Sequence, residues 1–483
     1  MFRFSPEQLV EAVGGRLVES PGTGWTTFEV NTDSRTVRPG CVFFALSGPR
    51  FDGHDFMTAV LEQPGTGVVG RLERVSALPP HVRAGHLVVG VADPLEALGD
   101  AAHYVRRRLD VPVVGLTGSM GKTTTKEMIA RILEQTGPGL ATRGNLNNLV
   151  GLPLMLLQAE PGHRWLVLEM GMNAPGEIAR LQTIARPTVR LITNVAAAHT
   201  EGVGGIEGVA RAKGELFTGA RPGDTVVINL DDPRVAGLPV PAGVRRVTFG
   251  AAEGADVRLI HVRGRRDGTS DVLLALPDTT VEAHLPLVGV HQPRNALAAA
   301  AVAVALDVPA VAVVAGLSRL RALPMRMEPV PLPSGVLAIN DAYNANPGSM
   351  EAALRTLVAL RDGRSGGRAC AILGDMLELG EDAQAAHRGV GAEAARVGVD
   401  RLFTFGELGR AIARGAVAAG LEPGRVAAFE DRGELVRAIG HWVRPGDVLL
   451  FKGSRGMQME RVLEALARGL ESEAGQGVGG TVA

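Results

Sequence analysis

The sequence contains very little cysteine. Only Cys41 and Cys370 occur among 483 residues, and they are far apart and lack the spacing of a metal site. This pattern excludes a disulfide framework, argues against a zinc site and is typical of proteins in a reducing compartment. We therefore expect a cytoplasmic protein with two buried free thiols.

The sequence also lacks an excess of charge of either sign. Lys and Arg together number 50 and Asp and Glu 51, which leaves a formal net charge of −1. Such a balance produces no overall field that would gather nucleic acid or anionic lipid. We expect no nucleic-acid partner, and any anionic ligand must be held by a local site.

A long uninterrupted apolar run is absent as well. The most apolar stretch, residues 296–316, is broken by Asp307 and Pro309, so we expect two buried helices there and no membrane insertion. The first fifteen residues lack the basic-then-apolar layout of a secretion signal. They predict instead a capped amphipathic helix that begins near Ser5.

The length and the order of the apolar segments predict three α/β domains. From Val111 onward short apolar runs alternate with helical patterns, which is typical of a doubly wound parallel sheet. A second block with the same alternation starts near Pro324. Residues 255–288 predict a small antiparallel insertion. We expect a small α/β domain at 1–109, a central doubly wound domain at 110–322, a Rossmann-like α/β domain at 323–471 and a disordered tail at 472–483.

A glycine-rich turn follows the apolar strand VPVVGLT. In TGSMGKTTTKE, Gly118 and Gly121 form the turn, and Lys122 and Thr123 open the helix that follows. The N–H groups and dipole of a helix start favour phosphate, a lysine can reach the outer phosphates, and a threonine hydroxyl can bind Mg²⁺. Leu116 stands where the strict pattern requires glycine. The strand–turn–helix context therefore supports a phosphate loop over a glycine turn with a chance Lys-Thr pair.

Three further residues are candidates for binding a metal at this loop. Glu169 ends the strand WLVLE, and His199 follows the strand VRLITNV. Each alone is equally explained as a loop or capping residue, but together beside a phosphate loop they favour Mg²⁺. Lys213 lies in an amphipathic helix, where composition alone indicates a solvated cation.

In this order the motifs resemble those of the Mur ligases of peptidoglycan synthesis, in the wider group that includes folylpolyglutamate synthetase. The likeness covers about residues 28–460. The finer match is carried by NTDSRTVRPGCVFFALSGPRFDGHDF, GNLNNLVGLPL, NDAYNANPGSM with LGDMLELGE, and FKGSRGMQME. It is closest to members that add D-alanyl-D-alanine (D-Ala-D-Ala) to UDP-N-acetylmuramoyl-tripeptide. It implies a cytoplasmic ligase that uses ATP, forms an acyl phosphate and, we expect, acts as a monomer.

The resemblance also implies which residues bind the nucleotide and the metal. The ATP-binding residues would be Gly118, Ser119, Gly121, Lys122, Thr123, Thr124, His291, Asn295, Arg326 and Asp341. The ligands of two Mg²⁺ ions would be Thr123, Glu169, His199 and Lys213, and the catalytic residues Lys122, His199 and Lys213. Lys213 would carry a carbamate, because CO₂ converts an ammonium that repels a metal into a carboxylate-like ligand. Two departures from the family are Gln292-Pro293, where Asn-Val is usual, and Met325, where Gly is common.

The substrate contacts implied by the resemblance lie in all three domains. Those for the UDP-substrate are Asp33, Ser34, Arg35, Phe51, Asp52, Gly53, His54, Asn145, Asn147 and Asn148. From the residues alone, the first three are equally a structural turn with an arginine able to meet a phosphate. The contacts for D-Ala-D-Ala would be Asn344, Asn346, Lys452, Ser454 and Arg455, although a helix start explains Ser454 nearly as well. Asp341, Asp375 and Lys452 fall at carboxyl ends of predicted strands, where open α/β sheets bind ligands.

Three other functions are disfavoured by particular segments. A Mur ligase that adds a single third amino acid would carry an Asp-Asn-Pro-Arg signature in the last domain, which is absent. Folylpolyglutamate synthetase would not require the DSR and FDGH segments. A non-catalytic nucleotide-binding regulator would not need an intact loop together with all the expected metal ligands. For a ligase we expect hinged closure near residues 109–112 and 323–326.

Overall fold

The computed structural model describes residues 1–22, 24–196, 204–377 and 379–477. Within these ranges the strands form three large sheets of six, nine and six strands, in sequence along the chain, and one two-stranded ribbon. Helices pack against all three sheets. The predicted α/β class with three domains is confirmed.

The first sheet is small and mixed. Its region contains strands β1 (Arg3–Phe4), β2 (Arg16–Glu19), β3 (Phe28–Asn31), β4 (Cys41–Phe44), β5 (Ser47–Gly48), β6 (Phe51–Asp52), β7 (Gly67–Arg71) and β8 (Leu87–Val91), and helices α1 (Pro6–Val13), α2 (Met57–Leu61), α3 (Leu72–Ser76), α4 (Pro80–Arg83) and α5 (Pro94–Arg106). The order is β1-β3-β4-β7-β8-β2, with β5 and β6 as the separate ribbon. The predicted first helix is present, because Ser5 and Gln8 form a capping box at its start.

The central sheet is parallel over its first part and antiparallel at one edge. Its strands are β9 (Val113–Thr117), β10 (Leu140–Ala141), β11 (Leu166–Glu169), β12 (Val189–Ile192), β13 (Thr225–Asn229), β14 (Arg245–Gly250), β15 (Val257–Gly264), β16 (Ser270–Leu276) and β17 (Thr279–Leu285). Its helices are α6 (Lys122–Leu133), α7 (Gly151–Leu156), α8 (Glu177–Ala185), α9 (Gly205–Thr218), α10 (Pro233–Ala236), α11 (Gln292–Ala305) and α12 (Ala310–Ser318). The order β10-β11-β9-β12-β13-β14-β15-β16-β17 puts β9 between β11 and β12, and β15 to β17 form the predicted antiparallel insertion.

The third sheet has the order β18-β19-β23-β20-β21-β22 and is parallel except for β18. The strands are β18 (Glu328–Pro331), β19 (Leu337–Asp341), β20 (Ala369–Gly374), β21 (Arg401–Phe405), β22 (Val426–Phe429) and β23 (Val448–Lys452), and the helices α13 (Pro347–Asp362), α14 (Ala383–Val397), α15 (Gly409–Ala418), α16 (Arg432–Trp442) and α17 (Glu460–Gly477). Asp341 and Lys452 end their strands, and Asp375 directly follows one, as predicted. Helix α17 continues to Gly477, and residues 478–483 of the expected disordered tail lie outside the described residues.

The apolar stretch at residues 296–316 folds as the two predicted helices, α11 and α12. Asp307 has a left-handed backbone with φ of 53°, and Pro309 directly precedes α12, so the two helices cannot be continuous. Both helices pack against α6, behind the phosphate loop. No helix in the described part of the chain is long and apolar enough to cross a membrane.

Candidate active site

The phosphate loop connects β9 to α6, as the sequence predicts. Gly118 and Gly121 have positive φ angles of 155° and 75°. A Cβ atom at these positions would collide with Thr193 Oγ1 and Asn295 Oδ1, respectively, so close packing as well as the backbone requires glycine. Leu116 is fully buried within β9. A leucine can stand there because the position belongs to the core and not to the turn.

Bonds to the segment after β12 hold the loop in shape. The Ser119 N–H donates to the Asn194 carbonyl at 3.0 Å, and the Ser119 hydroxyl donates to the Ala196 carbonyl at 2.9 Å. Ser119 therefore uses its side chain to anchor the loop. Thr123 and Thr124 follow in the first turn of α6, where helix N–H groups favour an anion.

Lys122 is the first residue of α6 and reaches back over the loop. Its ammonium donates to the Gly118 carbonyl at 2.7 Å. Burial lowers the pKa of Lys122, the Glu169 carboxylate opposes that shift, and the positive charge of Arg326 adds to it. The Glu169 carboxylate at the end of β11 and the Arg326 guanidinium at the start of the third domain therefore both affect the pKa of Lys122.

Glu169 ends β11 with a side chain that is almost fully buried. Its Oε1 accepts from Asn147 Nδ2 at 2.9 Å, and its backbone N–H donates to Thr142 Oγ1 at 2.9 Å. Among the described residues, Glu169 Oε2 has no hydrogen-bond partner. A buried carboxylate oxygen without a donor is suited to a hard cation such as Mg²⁺.

Lys213 is buried in α9, with only 2% of its surface exposed, so the solvated cation that composition indicates is wrong. Burial and, to a smaller extent, the positive charge of Lys122 hold its pKa well below the ordinary value. The neutral amine that this favours is the form that can add CO₂. His199 lies outside the described residues. No group of three or more His, Cys, Asp or Glu side chains gathers to bind a metal within the described ranges.

Two of the residues predicted to bind ATP, His291 and Asn295, lie at the start of α11. Asn295 Nδ2 donates to Gln292 Oε1 at 3.0 Å. His291 Nδ1 is buried and has no partner among the described residues, and burial lowers the pKa of this imidazole. Pro293 lies in the first helical turn, where no N–H is required. The departure Gln292-Pro293 therefore fits a normal helix start.

The segment that enters the third domain has left-handed backbone on both sides of Arg326. The φ angles are 57° at Met325 and 49° at Met327. The Met327 N–H donates to Asp341 Oδ1 at 3.0 Å, and the Arg326 guanidinium lies 3.8 Å from the centre of the Tyr343 ring. Backbone, carboxylate and ring together hold Arg326 in place.

Lys452 is buried at the end of β23, the strand end that the sequence predicts. Its ammonium donates to Asp341 Oδ2 at 2.6 Å and to the Asn344 carbonyl at 3.0 Å. The Lys452 ammonium, which is predicted to contact the dipeptide, thus forms a buried ion pair with Asp341. Asp341, predicted to contact the nucleotide, has both carboxylate oxygens bonded within the protein.

The other residues predicted on the dipeptide side divide into two kinds. Asn346 is the N-cap of α13, and the Ser454 hydroxyl accepts from the Leu377 N–H at 2.9 Å, so both have structural roles. Asn344 and Arg455 are exposed, and Arg455 pairs with a glutamate of α17 at 2.7 Å. Arg455 is the one predicted cation on this side that remains at the surface.

The first predicted UDP-substrate segment is a capped turn. Asp33 Oδ1 accepts from the Arg35 N–H at 3.1 Å, and the two side chains pair at 2.7 Å. Hydrogen bonds from Arg35 lower the pKa of Asp33 to about 2. Ser34 opens the short helix Ser34–Thr36, and the Arg35 side chain is 86% exposed. The segment folds as a turn, and the Arg35 guanidinium is exposed at the surface while paired with Asp33.

The second such segment surrounds a buried histidine. His54 Nδ1 lies 2.6 Å from Asp52 Oδ1, and His54 Nε2 accepts from the Arg71 N–H at 2.9 Å, so the imidazole donates through Nδ1. A Cβ atom at Gly53 would crowd the backbone of Ala45 and Leu46, between β4 and β5. Phe51 is 58% exposed beside this network. A free aromatic face is available there for stacking.

Three asparagines before α7 have different surroundings. Asn148 Oδ1 accepts from the Gly151 N–H at 2.8 Å and so supports the start of α7. Asn147 donates to Glu169, whereas Asn145 is exposed. Asn148 is exposed as well, so Asn147 is the one partly buried residue of the three.

Sequence reasoning did not assign a role to two buried polar residues near the predicted site. Asp375 is 5% exposed, burial raises its pKa, and its Oδ1 has no partner among the described residues. Lys126 donates to the Thr142 carbonyl at 2.5 Å, next to Glu169. Asp375 carried the signal of a strand end. Lys126 carried none, because its bond to Thr142 joins residues sixteen positions apart and its other partner, Glu127, gives no signal beyond an adjacent charge pair.

Comparison with known proteins gives three family matches in chain order. Residues 28–106 match the Mur ligase family catalytic domain, residues 116–303 the Mur ligase middle domain and residues 325–455 the Mur ligase glutamate ligase domain. The UDP-N-acetylmuramoyl-tripeptide–D-alanyl-D-alanine ligase of Escherichia coli K12 is 37% identical over 470 residues, covering 96% of this chain and 99% of that protein.

Solved structures agree with this grouping. A crystal structure of MurF from Acinetobacter baumannii matches with a TM-score of 0.87 and 32% identity, covering 97% of this chain and 99% of the other. MurF from Thermotoga maritima in complex with ADP matches with a TM-score of 0.80 and 29% identity, covering 92% and 98%. The chain belongs to the Mur ligase family.

Proposed function

We propose that the chain is an ATP-dependent ligase that adds D-Ala-D-Ala to UDP-N-acetylmuramoyl-tripeptide in the cytoplasm. The observation that carries this proposal is the convergence of Lys122, Glu169 and Lys213 at the phosphate loop of a three-domain Mur ligase fold. The names of the relatives that span nearly the whole chain support the substrates. We also propose the domain limits 1–109, 110–322 and 323–471, and a monomer.

The residues present fit Mg²⁺. Glu169 offers a buried oxygen without a donor, and Thr123 offers a hydroxyl at the helix start. Together with Lys213 and His199, they would hold two ions beside the nucleotide. When bound, Mg²⁺ supplies positive charge to the phosphate oxygens.

Lys213 would serve as a ligand only after modification. Its neutral amine would add to the carbon of CO₂, forming an N–C bond and releasing one proton, which yields a carbamate anion. Burial of the side chain and the nearby charge of Lys122 favour the neutral amine that this addition needs. The carbamate would in turn reduce the repulsion between Lys213 and Lys122.

The reaction needs an activated carboxylate because a carboxylate ion is a poor electrophile. A terminal oxygen of the tripeptide carboxylate would attack the γ-phosphorus of ATP, and the bond to the β-phosphate oxygen would break, releasing ADP. Lys122 would exchange the Gly118 carbonyl for γ-phosphoryl oxygens. The amine of D-Ala-D-Ala would then attack the acyl carbon, and phosphate would leave as the amine loses its proton.

Closure of the third domain would exclude water from the acyl phosphate. Arg326 lies where it influences Lys122, so the segment 323–328 would connect closure to the phosphate loop. The exposed Arg35 and Phe51 of the first domain would meet the UDP moiety. The exposed Arg455 would meet the dipeptide carboxylate.

ADP release tests the proposed function. Purified protein with ATP, Mg²⁺, UDP-N-acetylmuramoyl-tripeptide and D-Ala-D-Ala should release ADP, and omitting any one component should abolish steady turnover. Replacing the dipeptide by a single amino acid, and the tripeptide by the corresponding dipeptide substrate, tests the rival Mur ligase activity. Turnover without D-Ala-D-Ala, or only with the single amino acid, would refute the proposal.

A further inference from the structure

Glu169 is held so that its two carboxylate oxygens are not equivalent. Oε1 accepts from Asn147 Nδ2 at 2.9 Å, whereas Oε2 has no partner among the described residues. The backbone of Glu169 is tied separately, through its N–H, to Thr142 Oγ1. Rotation of the carboxylate away from Asn147 would break this bond and leave the partly buried amide donor unpaired. Oε2 is therefore the oxygen available to a ligand.

Asn147 is itself fixed between two segments. Its N–H donates to the Asn145 carbonyl at 2.8 Å, and its carbonyl accepts from the Gly171 N–H at 2.8 Å. A Cβ atom at Gly171 would lie 3.0 Å from Asn147 Oδ1, so this strand end leaves room for the amide. A carboxylate only accepts hydrogen bonds, so the side-chain nitrogen must face Glu169. The amide thus has one defined orientation.

We propose that Asn147 is a positioning residue that orients Glu169 for metal binding and links the loop before α7 to the metal site. This inference rests on the proposed function, in which Glu169 binds Mg²⁺. It replaces direct substrate contact as the main role of the Asn147 side chain. Asn145 and Asn148, on either side, are exposed, and substrate contact stays the prediction for both.

Metal affinity distinguishes this role from simple anchoring of the loop. Removing the partner that orients a metal ligand commonly weakens metal affinity about 10- to 100-fold. Loss of a loop anchor would instead lower thermal stability and leave the affinity of the folded protein unchanged. The two roles therefore predict different results for the same substitution.

The experiment measures binding of Mn²⁺, as a probe for Mg²⁺, to the full chain with saturating ADP, by electron paramagnetic resonance. The variants are Asn147→Ala, Asn147→Ser, Glu169→Gln and, as a matched control on the same loop, Arg143→Gln. The serine side chain of Asn147→Ser is too short to reach Glu169, so this milder variant also removes the hydrogen bond to Glu169. It tests the loss of that bond if the alanine variant folds poorly. Thermal melting and metal-free ADP binding check that each variant is folded.

We expect the Asn147 variants to bind Mn²⁺ about 10- to 100-fold more weakly, with metal-free ADP binding unchanged, and Arg143→Gln to match the parent. Parental Mn²⁺ affinity in folded Asn147 variants, with binding lost in Glu169→Gln, would overturn the inference and leave the proposed metal site intact. Parental affinity in Glu169→Gln would overturn the metal site itself and the inference with it.

Discussion

Lys213 shows how the environment of a single residue decides its chemistry. Composition indicates a solvated cation, but the side chain is buried in α9, and burial and Lys122 lower its pKa. A buried ammonium beside a second lysine would be costly, so neutralisation or conversion to an anion is favoured. The family resemblance had already suggested the second outcome.

The first prediction concerns the carbamate. Lys213→Ala should lower kcat by about 100-fold or more, because a metal ligand that supports phosphoryl transfer is lost. Short-chain carboxylic acids such as acetate should restore part of the activity by occupying the space of the carbamate. The measurement is ADP release with and without added acid. Unchanged activity in Lys213→Ala, or a loss that no acid restores, would leave the carbamate without support.

The second prediction separates two roles of Lys452. The ion pair with Asp341 is buried, so Lys452→Met should leave the Asp341 carboxylate buried without its cation. We expect this to lower the free energy of unfolding by about 3–5 kcal/mol. Denaturant unfolding of the full chain measures this, with Arg455→Met as an exposed control that should change stability little. If Lys452 instead meets the dipeptide, the KM for D-Ala-D-Ala would rise and the stability would stay near that of the parent.

At the scale of elements, the segment 325–327 stores backbone strain on both sides of Arg326. A left-handed residue other than glycine costs roughly 1–2 kcal/mol, and Met325 and Met327 are both left-handed. The Met327 N–H is held by Asp341, and the Met325 N–H donates to Glu328 Oε2 at 2.8 Å. Met325 therefore adopts a left-handed backbone at a position where glycine, which adopts this backbone without strain, is common in the family.

The third prediction uses the two methionines as a matched pair. Met325→Gly should relieve about 1–2 kcal/mol of strain and lose about 0.5–1 kcal/mol through the flexibility of the unfolded chain, so stability should be unchanged or slightly higher. Met327→Gly should be destabilising by about 2–5 kcal/mol, because that side chain is 4% exposed and its removal leaves a cavity. Chemical denaturation of both variants measures the difference. Equal effects would show that burial of the Met327 side chain does not distinguish the two sites.

The fourth prediction concerns pH and the antiparallel insertion. Asp271 on β16 accepts hydrogen bonds from Arg265, Arg263 and His284, which hold the pKa of its carboxyl well below the ordinary value. A lowered folded pKa stabilises the fold above the unfolded pKa of about 3.9, and this contribution is lost as the pH falls. Asp271→Asn should therefore melt at a lower temperature at pH 7. The difference in melting temperature between this variant and the parent should become smaller below pH 4. A difference that does not change with pH would contradict this account.

The elements of the site were more predictable from sequence than the bonds between them. The phosphate loop, the strand ends at Glu169 and Asp341 and the paired helices α11 and α12 follow from local patterns of glycine, apolar runs and helix breakers. The pairing of Lys452 with Asp341 joins residues 111 positions apart. Such contacts depend on strand order, which a local pattern does not contain.

At the scale of the whole molecule, the second and third domains meet along α13. A Cβ atom at Gly348, near the start of α13, would touch Met120 Sδ of the phosphate loop. Further along, the Thr356 hydroxyl accepts from the Val290 N–H at 3.2 Å, and Leu360 packs against Gly268 in the turn between β15 and β16. Helix α13 of the third domain therefore lies directly against the phosphate loop of the second domain, and in the proposed function the reactants would meet in the cleft between these two domains.

The central claim is that ATP activates the tripeptide carboxylate as an acyl phosphate at this cleft. The direct measurement uses UDP-N-acetylmuramoyl-tripeptide with its terminal carboxylate labelled with ¹⁸O, and follows the label during turnover with ATP, Mg²⁺ and D-Ala-D-Ala. We predict that each released phosphate carries one ¹⁸O atom from the carboxylate and that the peptide product retains the other. Phosphate without ¹⁸O, with product still formed, would contradict the account.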